Sequence, residues 1–119
     1  MTDGIIDFAG ERLIRRAPEW PLPLTGGDQD YILSCLRAIQ TAFSEPVVPD
    51  VPLDLIPARA LMRLLVRLRR TLRPQTDAQA DAMTRLPGAL HLLAIACAME
   101  RERAATDDGQ RAGPGGHGP

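Results

Sequence analysis

The chain has 119 residues, a formal net charge of -1, and 45% hydrophobic but only 3% aromatic residues. That length allows one domain and not two, and the near-neutral balance excludes a chain-wide nucleic-acid clamp or an acidic solvating segment. With only Phe8, Trp20, Tyr31 and Phe43 as rings, the core falls to Leu, Ile, Val, Met and Ala, a palette that favours helices over strands.

All fourteen positive residues are Arg and none is Lys. Codon bias in a GC-rich genome, bacterial in style, accounts for this; read as chemistry, it favours bidentate contacts to carboxylates or phosphates. Cys35 and Cys97 are far apart and lie in apolar helical runs, where cysteine behaves as a small hydrophobe. With no disulfide framework and no signal segment, a reducing, cytoplasmic setting is expected. The longest uncharged stretch, Leu86 to Met99, is too short to span a bilayer, so no membrane span is expected.

A first helix is expected over 3–17, with Asp3 as cap, Ile5, Ile6, Phe8, Ala9 and Leu13 on one side, and Gly10 weakening it by about 1 kcal/mol. Pro18 ends it. Pro21 and Pro23 keep Trp20 and Leu22 out of the helical region, and Trp20 is expected to lie on the core as a lid. The next helix spans 28–44, with Asp28 as N-cap after Gly26-Gly27 and Ile32, Cys35, Leu36, Ile39 and Phe43 at helical spacing. Pro46, Pro49, Pro52 and Pro57 then impose a stiff extended connector, from which Val47, Val48, Val51, Leu53 and Leu55 can tuck inward.

The third helix spans 57–73, with Pro57 at its start and Pro74 as its stop. A fourth helical region runs over 77–104, with Thr76 as cap, broken at Leu86-Pro87-Gly88. Its longer piece is apolar over most of its circumference and should be central. Residues 105–119 contain no large apolar side chain and are rich in Gly and Pro, so they cannot offset the entropy of ordering. The expected organisation is therefore a single helical domain, 1–104, and a disordered tail, 105–119. The expected fold class is all-α, a small bundle of about four helices with proline-rich extended connectors.

The third helix carries the chain's most distinctive pattern. At about 100° per residue, Leu61, Leu64, Leu65, Leu68 and Leu72 share an arc of about 100°. Arg59, Arg63, Arg67, Arg70 and Arg73 lie opposite, Arg69 flanks them, and no acid occurs between Leu55 and Gln75. Like charges one turn apart repel by a few tenths of a kcal/mol per pair, against about 1.5–3 kcal/mol for each buried leucine. The helix thus forms because of its leucines. Its arginines suit four roles: a solvated face paired internally with acids such as Asp7, Glu11, Asp77, Asp81, Glu100 or Glu102; a dock for an acidic protein; a contact to nucleic-acid phosphate; or a membrane-surface contact. Neutral net charge and the lack of polar base-reading side chains weigh against nucleic acid. A leucine face without aromatic anchors weighs against a membrane surface.

Catalytic and cofactor patterns are missing. His117 falls in the expected tail, which leaves His91 as the one candidate base. It lies six residues from Cys97 on one helix, about 240° around, so the two do not converge. Two cysteines and one histidine without paired spacing fall short of a zinc site, no calcium loop is present, and the glycines follow no strand. Neither enzyme activity nor a metal or cofactor is expected. The function expected is a non-catalytic protein-interaction module, a small accessory or adaptor subunit. It would meet an acidic partner through Arg59, Arg63, Arg67, Arg70 and Arg73, and the alternative is a small nucleic-acid-binding regulator using the same arginines. A homo-oligomer joined near Val47–Leu55 is a third possibility.

Overall fold

The computed structural model describes the backbone of residues 8–116 and the side chains of 9–106. Among these the fold is all-helical: α1 (Phe8–Arg16), α2 (Gly26–Phe43), a 3-10 turn (Leu53–Leu55), α3 (Ala58–Thr71), the short α4 (Asp77–Met83) and α5 (Leu86–Gly116). The sole extended pairing among them is an isolated bridge between Pro21 and Pro57. The expected tail, 105–119, overlaps the end of α5; of its side chains only Ala105 and Thr106 are described, and 117–119 lie outside the described residues. The same is true of 3–7, expected as the start of the first helix.

Helix α5 is the centre of the bundle. It touches α1, α2, α3 and α4, while α2 packs on α4 and α3 on α1. Its inward stripe of Leu86, Ala89, Leu90, Leu93 and Cys97 meets Ile32, Cys35, Leu36 and Ile39 of α2 and Leu61, Met62, Leu65 and Val66 of α3 in one continuous core. The stretch Asp77–Thr106 is long and apolar enough, by length and composition alone, to cross a bilayer. A count that stops at the first charge, as in the sequence reading, misses it. Packing accounts for part of that apolarity, since one side of α5 faces four other helices.

Helix boundaries follow local chemistry, with two departures from expectation. The cap of α2 is Thr25, whose hydroxyl oxygen accepts from the Asp28 backbone N–H at 3.0 Å; Asp28 itself lies in the first turn. A hydroxyl three residues before an unpaired N–H satisfies it as an aspartate would, and Gly26 and Gly27 enter the helix. The break in the fourth region falls at Thr84-Arg85, before Pro87 rather than at it. Proline lacks only an N–H that a first helical turn leaves unpaired, so Pro87 starts α5 instead of interrupting it. Thr76 caps α4 as expected, accepting from Gln79 N. At its other end α2 closes through Ser44 in the left-handed region (φ 54°). The Gln40 side-chain oxygen then accepts from the N–H groups of Val47 and Val48, fixing the start of the proline-rich connector.

That connector tucks in only partly. Val47 and Leu53 are buried, whereas Val51 and Leu55 are exposed.

Candidate functional site

Helix α3 buries Ala58, Leu61, Met62, Leu65, Val66 and Leu68, while Leu64 and Leu72 stay at the margin. At about 100° per residue, this buried arc spans about 160° and is rotated by about 60° from the centre of the leucine arc. The reason is that Met62 and Val66, flanking the leucines on one side, also pack fully. Helix α1 covers that side, and the rotation divides the arginines into two sets.

Arg59, Arg70 and Arg73 are engaged within the chain. Arg59 Nε donates to the Ala17 carbonyl at 3.1 Å, one terminal nitrogen reaches Glu19 at 2.8 Å, and the other reaches the Arg15 carbonyl at 3.1 Å. A planar fork of donors suits this three-way clamp, and the shorter point charge of a lysine could not reproduce it. Arg70 pairs with Glu11 of α1 at 2.7 Å, one of the acids foreseen as a partner. Arg73 turns back to the carbonyls of Arg70 and Leu72, satisfying acceptors that the end of α3 leaves open.

Arg63 and Arg67 form the second set. Both are exposed, they stand one turn apart, and among the described residues neither side chain has a hydrogen-bond or ion-pair partner. Ala60, Leu64 and Thr71 lie beside them, so the exposed strip is two guanidinium groups on a low, partly apolar bed.

Burial and pairing also organise residues that sequence reasoning placed otherwise. Trp20 is not a lid: it is 46% exposed, and its indole N–H donates to Glu100 Oε2 at 2.7 Å. Glu100 is the one buried charged residue among those described. It was foreseen as a partner for the α3 arginines, but Arg103 on its own helix grips both its oxygens, at 3.0 and 2.7 Å. The signal for its burial was in the sequence, because Leu93, Cys97 and Glu100 continue one helical stripe. The hydrogen bond from Arg103, above all, lowers the Glu100 pKa; burial opposes this and Trp20 adds to it. Glu19, the partner of Arg59, carried no such signal.

Groups with catalytic potential stay apart. Cys35 and Cys97 are free and buried. Burial raises both thiols, Cys97 to about 11, although Arg101 near Cys97 and Arg85 near Cys35 act in the opposite direction. Thiols so raised remain protonated and weakly nucleophilic at neutral pH. His91 is exposed on the outer side of α5, away from Cys97. Among the described residues, no three histidine, cysteine or acidic side chains come together as metal ligands. No family model matches the chain, and no curated protein or solved structure shows significant similarity to it.

Proposed function

We propose that this protein is a non-catalytic interaction module, a small accessory or adaptor subunit that docks an acidic protein partner through α3. The observation that carries this reading is the pair Arg63 and Arg67, exposed one turn apart without an internal counter-charge among the described residues. Arg59, Arg70 and Arg73 act one step back. Arg59 and Arg70 brace α3 against α1 and the segment that follows it, and Arg73 closes the end of α3, which leaves the free pair facing outward. Two arginines one turn apart, with Cβ atoms about 6 Å apart, match carboxylates spaced one turn apart on a partner helix, with Leu64 and Ala60 supplying apolar contact beside them.

The test is capture of interacting proteins by the full chain from its native host, with identification by mass spectrometry. Support for the reading is one acidic partner retained by the natural chain and lost from the Arg63→Glu, Arg67→Glu double variant. Affinity for generic duplex DNA or RNA that falls steeply with salt, and is lost in the same variant, would replace the partner protein with phosphate.

A further inference from the structure

The exposed pair on α3 has a counterpart on α1. Arg70 bonds Glu11 and Arg59 bonds the Arg15 carbonyl, so α1 and α3 lie side by side and run antiparallel. At about 100° per residue, Arg15 lies about 40° and Arg12 about 100° beyond Glu11, toward the solvent side of α1. Across the seam, Arg63 lies about 40° and Arg67 about 80° beyond Arg59, also toward solvent. All four arginines are exposed, and among the described residues none of their side chains has a hydrogen-bond or ion-pair partner.

Carboxylates close this seam at both ends. Glu11 is held by Arg70 at 2.7 Å and Glu19 by Arg59 at 2.8 Å, and about 16 Å of α3 separates the two arginines. Glu11 is the sole acid of α1, and α3 has none. The hollow that Arg15 and Arg59 line at one end holds Glu19 as its one carboxylate. Arg16 and Arg101 border that hollow too, but they turn toward Glu102 on the α5 side and lie outside the seam. What remains between the two ion pairs is a short cationic bay.

Its length selects the occupant. A nucleic-acid strand carries a phosphate at every nucleotide and would run on past the bay over Glu11 and Glu19. Their side chains are 46% and 75% exposed, so they would repel it. Two turns of an acidic helix, about 11 Å long, end before reaching either carboxylate. Carboxylates on the two edges of such a helix meet arginines on both sides in charge-assisted hydrogen bonds.

We infer that the docking surface spans both helices, its occupant a two-turn acidic helix of a partner protein seated between Arg12 and Arg15 of α1 and Arg63 and Arg67 of α3. This rests on the docking role of Arg63 and Arg67 and adds α1 to it.

Fluorescence anisotropy tests this, with the full chain titrated into a dye-labelled, alanine-based helical peptide bearing glutamates one turn apart on two adjoining edges. The pair Arg12→Glu, Arg15→Glu and the pair Arg63→Glu, Arg67→Glu should each raise the dissociation constant at least about tenfold. Arg16→Glu and Arg37→Glu should leave it within about twofold, and the affinity of the natural chain should fall with added salt. Helical circular dichroism reports whether α1 survives; should it not, Arg12→Gln and Arg15→Gln give the same comparison without new charge beside Glu11. Loss in one pair alone overturns the two-helix surface, and where that pair is Arg63 and Arg67 the docking reading stands. Loss in neither overturns both. Equal loss on changing Arg16 or Arg37, or tighter binding of a single-stranded oligonucleotide than of the peptide through the same four arginines, overturns the acidic helix as occupant.

Discussion

Trp20 Nε1 and Glu100 Oε2 meet at 2.7 Å across 80 residues of sequence, joining the extended segment after α1 to the middle of α5. Arg103 closes the other side of the same carboxylate. Trp20→Phe removes one donor and should cost about 1–3 kcal/mol in urea unfolding. Arg103→Ala should cost more than Glu100→Gln, because the first leaves a buried charge with one donor and the second removes the charge itself. As the chain contains a single tryptophan, its fluorescence reports directly on loss of the contact in Glu100→Ala, which keeps no side-chain acceptor.

Acid should weaken the fold through the same group. Arg103 and Trp20 hold the folded-state pKa of Glu100 below its ordinary value, so the unfolded chain takes up the proton first. The contribution of Glu100 is therefore complete above the usual carboxylate range and disappears as pH falls through the lowered folded value. Unfolding free energy measured against pH should decline there in the natural chain and decline less steeply in Glu100→Gln.

Gly88 is set by Tyr31. A Cβ at position 88 would collide with the phenol oxygen and crowd the ring, although alanine is favoured over glycine within a helix by about 1 kcal/mol. Gly88→Ala should consequently gain little or lose stability in the natural chain, yet stabilise a Tyr31→Ala background by about 0.5–1 kcal/mol. Thermal unfolding of the four members of this cycle measures the coupling.

The two sets of arginines should separate in stability measurements. Arg59→Ala breaks three contacts, one to the Arg15 carbonyl at the end of α1 and two, to the Ala17 carbonyl and Glu19, in the segment after it, and should cost about 1–3 kcal/mol. Arg63→Ala and Arg67→Ala should fall within about 0.5 kcal/mol of the natural chain. Chemical denaturation of the three variants checks the contrast, and equal losses would remove the distinction between bracing and free arginines.

Much of this architecture was legible in the sequence because helical spacing is a local signal. Ile32, Cys35, Leu36 and Ile39 mark the buried side of α2, and Thr76 and Pro74 mark the gap before α4. What escaped depends on other parts of the chain. Leucine spacing alone centres α3 too far to one side, since whether Met62 and Val66 are buried is decided by α1. The arginine face reads as uniform for the same reason. Glu11 and Glu19 sort it into braced and free members, and no rule of spacing connects Glu19 with Arg59 across 40 residues. Position along a helix told which arginines share a side; only the fold tells which of them are spent.

The start of α3 has a consequence for how the chain assembles. Pro57 offers no side-chain cap; the first two helical N–H groups, of Ala58 and Arg59, donate instead to the carbonyls of Trp20 and Pro18 at 3.0 and 2.9 Å. A helix closed by such a distant stretch cannot complete its opening turn until that stretch has arrived, which ties a local folding event to a slow, long-range encounter. Synthesis reaches α3 only after residues 18–20 are already made, so the nascent chain has its capping carbonyls waiting. A fragment beginning after Pro23 would have to leave those two donors to water.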